Sequence, residues 1–521
     1  MSEYNGLLIS TMTFLPLAGG LLVLAAPRQR ASLHRWIALV TSLGALAVAM
    51  VIWGRFDRSS AGIQFEECFP WIRPVNVFYH VGIDGLSMTM VLLTAVITPL
   101  CILASWSISA NTRLYMFLFL LLQVGMFGVF TALNFIHFFV FWEMGLVPMF
   151  FLIKLWGGER RDYAAFKFFI YTMAGSVAML LVFQFLYLAT GTWDFIELAG
   201  IAGGDDGLAG PLRDLVERLG IRLPLATCAG LGFAGVALAF AIKVPIWPFH
   251  TWLPDAHTEA PTAGSIILAG VLLKMGVYGF LRAALPLFPD VAARFAMPLA
   301  LLALASIILG AFAAMRQQDV KRMIAYSSVN HMGYCMLGIF AAAHAAAGPG
   351  FDGARADALN GAILQMFNHG ITAGALFFLV GVIYDRAHTR SLLDFGGLRR
   401  VMPVYAGIMG IAAFSSIGLP GLNGFISEFL IFKGAFPILT PIVAAATLGL
   451  VITAVYLLAM LDKLFHGPVN ERWAELPDMG RREILIAAPF LTYIFLVGVW
   501  PRPLLDVSNP AVLALIRLFN P

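Results

Sequence analysis

Fourteen apolar runs of roughly 18 residues or more follow one another along this chain, and that repetition restricts the fold more than any other feature. They cover residues 6–26, 36–53, 86–106, 114–133, 135–153, 166–190 and 225–247, then 264–285, 295–315, 323–343, 359–384, 405–432, 442–461 and 484–500. Hydrocarbon offers no partner to a backbone N–H or C=O, so a spanning segment is a helix or part of a closed barrel, and runs this long are helices. The charged share agrees: 12% of residues are Asp, Glu, Lys or Arg, against about 25% in a soluble domain. The expected fold is an all-α polytopic membrane protein with about fourteen transmembrane helices.

Positive charge in the connections orients such a bundle. Alternate connections, beginning with Arg28, Arg30 and Arg35 and including Lys321 and Arg322, hold 19 of the 33 Lys and Arg residues. The opposite set, which includes Arg282, Arg355 and the C-terminal tail, holds 12. The richer set is expected on the cytoplasmic side, with both termini on the periplasmic side. No basic segment precedes the first run, so it reads as a retained helix and not a cleaved leader. The net charge of +4 mostly reflects this bias, and cations scattered over short loops make no groove for nucleic acid. Cys68, Cys101, Cys228 and Cys335 show no CxxC spacing and read as free thiols. The alanine- and arginine-rich composition points to a bacterial cytoplasmic membrane, with a mitochondrial inner membrane also compatible.

Four charged residues fall well inside the runs: Glu143, Lys243, Lys274 and Glu428. An ionisable group at the centre of a spanning helix costs about 2.5 to 3.5 kcal/mol, so it faces a bundle interior or water and marks a relay or ion path. The plainer alternative is a buried pair that only holds helices together. Lys243 opens the stretch "KVPIWPFHTWLPDAHTEAPT" (243–262), where Pro245 and Pro248 interrupt the helix. Glu428 lies in "GLPGLNGFISEF" (418–429), interrupted by Gly418, Pro420, Gly421 and Gly424. Carbonyls freed at such breaks are tolerable only where protein or water meets them, so Lys243 is expected beside a hydrated internal defect. Burial and a nearby glutamate act on a lysine in opposite senses. A group held between them titrates when its neighbour's charge changes, as a proton relay requires.

Polar side chains extend the line. Gln365, Asn368, His369 and Thr372 share one face of the eleventh run, and Ser327, His331 and Tyr334 share one face of the tenth. Histidine titrates nearest neutrality and suits proton transfer, whereas Ser, Thr and Asn also join membrane helices by hydrogen bonds alone. His331 and His369 therefore enter the candidate set. His137 lies in the fifth run, and His250 and His257 are expected in a loop before the eighth, near a solvated Glu259. The grouping His250, Asp255 and His257 matches no strong metal motif.

Spacing suggests two related halves. Glu143 precedes Lys243 by 100 residues and His331 precedes Glu428 by 97; Lys274 follows Lys243 by 31 and Tyr456 follows Glu428 by 28. Five helices per repeat is an odd number, so the second copy would be inverted. The expected organisation is residues 1–112 as three N-terminal helices and 113–285 as a first repeat (helices 4–8, helix 7 broken). Residues 286–466 form a second repeat (helices 9–13, helix 12 broken), and 467–521 form helix 14 and a tail.

The stretches "GIDGLS" (82–87), "FFVFWEMGLVPMFFLI" (138–153), "LLKMGVYG" (272–279) and the two broken segments quoted above carry a resemblance that covers nearly the whole chain. They resemble the antiporter-like membrane subunits of respiratory complex I, the proton-pumping NADH:quinone oxidoreductase. Three paralogous chains, L, M and N, share that fold, as do the Mrp-type sodium/proton antiporter subunits. Two features resemble the chain M branch, the counterpart of mitochondrial NADH dehydrogenase subunit 4: Glu428 stands where L and N have a lysine, and the chain stops soon after its fourteenth run, without the long lateral helix of chain L.

The resemblance implies a proton-translocating subunit in which Glu143 pairs with Lys243 of the broken helix. Lys274 would connect the halves and Glu428 would be the terminal group, with His331 and His369 matching only as polar residues on the central axis. It implies no cofactor in this chain: NADH, FMN, iron–sulfur clusters and quinone belong to partner subunits, and chains L and N flank this one in the membrane lipid. The residues agree in having neither a Rossmann glycine fingerprint nor a cysteine cluster for a metal centre. Two other readings use the same residues. One is a subunit of an independent Mrp-type antiporter; the other is a haem-bearing membrane redox protein ligated through two of His137, His331 and His369.

Overall fold

The computed structural model describes residues 6–344 and 349–519. Helices α1 (Leu8–Ala25) and α2 (Ala31–Arg55) lead into an antiparallel hairpin, β1 (Gln64–Ile72) and β2 (Val77–Ile83), where the apolar pattern showed only a connection. Asp84 then caps α3 (Gly85–Ala104) by accepting from the Leu86 and Ser87 amides at 3.0 Å each, which satisfies two of the donors a helix start leaves open. Next come α4 (Thr112–Thr131), α5 (Phe135–Trp156), capped by Asn134, and α6 (Arg161–Thr190). Two short helices, α7 (Phe195–Ala202) and α8 (Ala209–Arg218), precede α9 (Leu225–Lys243).

The first break falls where the prolines put it. Helix α9 ends at Lys243, neither Pro245 nor Pro248 has an amide hydrogen to continue it, and the chain coils again as α10 (Trp252–Glu259). The following column is continuous but irregular. Its segments α11 (Thr262–Ile267), α12 (Leu273–Gly279) and α13 (Leu285–Leu287) are joined by π-turns at Leu268–Leu272 and Phe280–Ala284, each of which re-aims the side chains beyond it.

The rest are α14 (Pro289–Met315), α15 (Val320–Ala343), α16 (Asp352–Ala387), α17 (Pro403–Ile417), α18 (Asn423–Ala435), α19 (Thr440–Phe465), α20 (Arg481–Val499) and α21 (Arg502–Arg517). The run 405–432 is thus two helices, α17 and α18. Gly418 and Gly421 separate them at φ +86° and +93°, left-handed values that cost any residue with a Cβ about 1–2 kcal/mol.

Helix α16 lies at the centre and packs on α15, α17, α18, α20, α21, α3 and α11. The most apolar stretches of α16 and of the α11–α13 column are 100% buried, against 33% for α2 and 28% for α20. Polar groups on the central helices therefore face protein and not lipid.

Twelve helices among the described residues are long and apolar enough to cross a membrane, and two of the fourteen expected runs are not among them. Helix α15 has the length, 24 residues, but carries Lys321, Arg322, Asn330 and His331. The other is the α17 and α18 pair, whose pieces are 15 and 13 residues long. A count of fourteen needs one polar buried helix and one broken one.

Many of the cations that a loop count assigns to connections lie inside helical segments, and some of them are buried or nearly so. Lys321 and Arg355 are buried at the starts of α15 and α16, and Arg282 sits in the second π-turn with its side chain 13% exposed. Helices here outrun their apolar stretches and carry these cations within the protein. The expected tail is the helix α21, packed on α3 and α16. The expected placement of both termini concerns residues outside those described.

Candidate functional site

The four charged candidates are held in two different ways. Glu428, in the second turn of α18, is 4% exposed, and its Oε1 accepts from His331 Nδ1 of α15 at 2.9 Å and from Gln365 Nε2 of α16 at 3.3 Å. The other ring nitrogen of His331 then accepts from Ser416 Oγ of α17 at 3.0 Å. Lys274, on α12, is fully buried; its ammonium donates to the Ala269 carbonyl in the first π-turn and to His369 Nδ1 of α16, the latter at 2.6 Å. An ammonium only donates, so this contact puts the ring proton of His369 on Nε2, an atom with no hydrogen-bond partner among the described residues.

The rings of His369 and His331 stand 5.7 Å apart between centroids. A cavity of about 10 Å³, room for about one water, is lined by both rings together with Ser416 and Glu428. Lys274, His369, His331 and Glu428 thus form a buried series drawn from four helices. The polar face of α16 holds the break beside it: Asn368 Nδ2 donates to the Asn423 carbonyl at 2.6 Å and to Ser427 Oγ at 3.1 Å, and Thr372 and Ser415 hydroxyls meet at 3.0 Å. Backbone groups exposed by a broken helix find their partners in this way.

Glu143 and Lys243 are arranged otherwise. Neither carboxylate oxygen of Glu143, on α5, has a hydrogen-bond partner among the described residues, and neither does Lys243 Nζ, although Lys243 is only 1% exposed. What Lys243 touches is aromatic. Its Nζ lies 5.0 Å from the centre of the Trp142 ring and 6.0 Å from that of Phe168, seats worth about 2 kcal/mol when dry. Trp142 is itself pinned, its Nε1 donating to Ser176 Oγ at 3.0 Å. As the last residue of α9, Lys243 also sits at a helix C-terminus, whose partial negative charge favours a cation.

The remaining expectations separate. His257 is not a loop residue: it is a fully buried member of α10, stacked on Phe377 at 4.5 Å, and both ring nitrogens lack partners among the described residues. Pro254 reads as a loop marker, yet it lies in the first turn of α10, where a missing N–H goes unfelt. Lys274 and Lys321 are close enough for their charges to act on His257. The sequence reading names this imidazole but places it in a loop; "LPDAHTE", with proline in a first turn, is the signal for the helix that buries it.

Asp255 is engaged with Lys167 at 2.7 Å, and no group of three ligand-type side chains is placed to hold a metal among the described residues. Haem ligation through His331 does not fit either. His331 uses both nitrogens and His369 uses Nδ1, while His137 sits between the hairpin rings of Trp71 and Tyr79, at 4.8 and 4.9 Å. Tyr456, the spacing counterpart of Lys274, is buried with its hydroxyl unpartnered among the described residues.

Residues 132–453 match the family described as "NADH:quinone oxidoreductase/Mrp antiporter, TM", and residues 64–129 match "NADH-ubiquinone oxidoreductase chain 4, amino terminus". NADH-quinone oxidoreductase subunit M of Rhodobacter capsulatus is 40% identical over 518 residues, spanning 98% of this chain and 97% of the relative. NAD(P)H-quinone oxidoreductase chain 4 1 of Synechococcus elongatus is 39% identical over 522 residues, spanning 98% and 92%. A chain of respiratory complex I from Thermus thermophilus with bound NADH superposes with a TM-score of 0.84 at 27% identity, covering 98% of this chain and 100% of that one.

Proposed function

Because this chain belongs to the family of membrane subunits shared by NADH:quinone oxidoreductases and Mrp antiporters, we propose that it is a proton-translocating membrane subunit, of the chain M type, of an NADH:quinone oxidoreductase. The observation that carries this reading is the buried series from Lys274 to Glu428, in which each proton donor faces an acceptor or a water-sized gap. NADH, FMN, iron–sulfur clusters and quinone belong to partner subunits. Those partners include the paralogous chains L and N on either side, within the lipid of a bacterial cytoplasmic membrane. The Lys- and Arg-rich connections face the cytoplasm and both termini the periplasm. Residues 113–285 and 286–466 act as inverted repeats between 1–112 and 467–521, and each contains one broken helix, α9/α10 and α17/α18.

Proton movement follows from the donor pattern. Lys274 Nζ passes a proton to His369 Nδ1 as His369 releases the one on Nε2, and that proton crosses the small cavity to Ser416. Ser416 Oγ gives its own proton to His331 Nε2, and His331 Nδ1 gives one to Glu428, which releases it. At each step one N–H or O–H bond breaks as another forms, and no electron moves. Glu143 and Lys243 are the trigger: a carboxylate that withdraws leaves the buried ammonium without its counter-charge, and its proton moves towards Lys274. An ion pair closed to 4 Å is worth about 4 kcal/mol at an effective dielectric of 20, and a proton moved against 100 mV takes about 2.3 kcal/mol. One changed pair is of the right size.

The test is NADH-driven proton uptake in inverted vesicles carrying Glu143→Gln, with assembly checked on a native gel. Pumping is expected to collapse in an assembled complex; unchanged pumping would falsify the relay. An Mrp-type antiporter uses the same charged axis, and sodium-dependent pH changes in vesicles lacking the NADH dehydrogenase would favour that reading instead.

A further inference from the structure

A second buried polar cluster lies eight residues along the same column. Tyr278 stands four residues beyond Lys274 on α12, and Arg282 Nε donates to its hydroxyl at 2.9 Å. The guanidinium also donates to Ser87 Oγ at 3.1 Å and pairs with Asp84 at 2.6 Å. Asp84 and Ser87 belong to the start of α3, where the same carboxylate oxygen accepts the two capping amides. Ser87 and Tyr278 hydroxyls lie 3.1 Å apart, and Tyr278 donates to the Phe130 carbonyl at the end of α4, also at 3.1 Å. Ser87 and Tyr278 are each 1% exposed and Asp84 is 5% exposed.

We propose that Asp84, Ser87, Tyr278 and Arg282 form a proton-tight plug across the end of the Lys274 face remote from α10. Lys274 then exchanges with His369 and the inner half of the protein and not directly with the outer side. This inference rests on the reading of Lys274 as a relay group. A conducting chain needs members that both take and give a proton. A guanidinium keeps its protons throughout the accessible pH range, so it can only block such a chain. The Tyr278 hydroxyl is committed to a fixed backbone carbonyl, and the Asp84 oxygen that faces Arg282 already accepts from two amides. The donors of Arg282 hold the Tyr278 and Ser87 hydroxyls and the Asp84 carboxylate in fixed places, and the one proton Tyr278 has to give is held by a backbone carbonyl. The charges of Arg282 and Asp84 are held against each other, so the plug offers no net attraction to an ion approaching from outside. The cluster ties α3, the end of α4 and the α11–α13 column together at this level. A purely structural clamp would share that geometry, and proton permeability separates the two roles.

The purified complex is reconstituted in liposomes with an entrapped pH dye and no NADH, and proton influx is followed after a pH step. Arg282→Gln, which strands Asp84 and invites water, is expected to raise influx about tenfold over wild type. Tyr278→Phe removes a single hydroxyl without changing the packing volume and is expected to raise it about threefold. Arg282→Lys keeps a cation beside Asp84 and stays near wild type. Unchanged influx in assembled Tyr278→Phe complex overturns the plug, and that variant decides the matter alone if Arg282→Gln does not assemble. Influx needs no turnover, so the two readings fail separately. Normal pumping in Glu143→Gln sinks the relay while leaving the plug, and unchanged influx sinks the plug while leaving the relay.

Discussion

The two broken helices hold their charges on opposite sides of the break and in opposite chemical condition. Lys243 is the last residue before the first break and Glu428 lies past the second, in a helix that begins at Asn423. Lys243 and Glu143 have no hydrogen-bond partner among the described residues; Glu428 and His331 are bonded to each other and to Gln365 and Ser416. By distance along the chain the two positions are near equivalents, Lys243 lying 100 residues after Glu143 and Glu428 lying 97 after His331. Their chemistry is not equivalent. An unpaired buried charge is costly and therefore ready to change partner or protonation, whereas a saturated network holds its geometry. On the relay proposed above, Glu143 and Lys243 respond and the series from Lys274 to Glu428 transmits.

The sharpest way to break that comparison is at Lys274, the residue proposed to join the halves. Lys274→Met is expected to lower NADH-driven proton uptake at least about tenfold with assembly intact, because His369 loses its donor. Uptake near wild type would mean the halves work independently. Next comes a stability contrast. Glu428→Gln removes the charge that His331 and Gln365 both serve, and should cost about 1.5–3 kcal/mol in urea titrations of the assembled complex. Glu143→Gln, which loses no hydrogen bond, should cost much less while abolishing pumping. Equal losses would erase the distinction between responsive and transmitting halves.

A smaller effect probes the second break. A Cβ at Gly418 would meet Glu428 Oε2 at 3.1 Å and would strain a residue at φ +86°. Gly418→Ala should therefore destabilise by about 1–2 kcal/mol and slow pumping, since it disturbs the transmitting network through its backbone. The smallest effect lies outside the membrane, at the hairpin. His80 of β2 bonds Glu66 at 2.8 Å and also Asp194, the cap of α7. Burial disfavours the charged ring, but Asp194 and Glu66 outweigh it and raise the His80 pKa above 6.5. A raised value means the stabilisation is complete below about pH 6.5 and is lost as pH climbs through the folded-state pKa. Proteolysis of the hairpin should accelerate with pH in wild type and show no such dependence in His80→Gln. If the dependence persists in that variant, another group holds the hairpin.

Hydropathy sufficed for the helices that face lipid and failed in an instructive way elsewhere. Helix α15 and the α17/α18 pair carry polar residues or glycines because they are wrapped by other helices, so an apolar window describes them poorly even though their places in the series were legible. Arg282, Lys321 and Arg355 were assigned to loops for the converse reason: charge was taken as a sign of water, and here it is met by Asp84, by the Ala260 carbonyl and by the packed start of α16. His257 was read as a loop residue because Pro254 resembles punctuation until the helix whose first turn it occupies is seen. The polar face of α16 was legible from its spacing alone, since residues three and four apart must share a side of any helix.

What the sequence determined by itself is the solvent, the helical class, the positions of both breaks and the short roster of charges that hydrocarbon would not tolerate unaided. Each of these is a local property, set by transfer free energy or by the lack of an amide hydrogen within a few residues. Only the tertiary structure decided which of those charges are paired. Partnership between Lys274 and His369, 95 residues apart, or between His331 and Glu428, 97 apart, depends on how α12, α15, α16 and α18 pack, and a hydrogen bond is won or lost within half an ångström. The same packing left the Glu143 carboxylate oxygens and Lys243 Nζ buried and without a hydrogen bond among the described residues, a condition no residue pattern can announce, because it is the absence of a partner and not the presence of one.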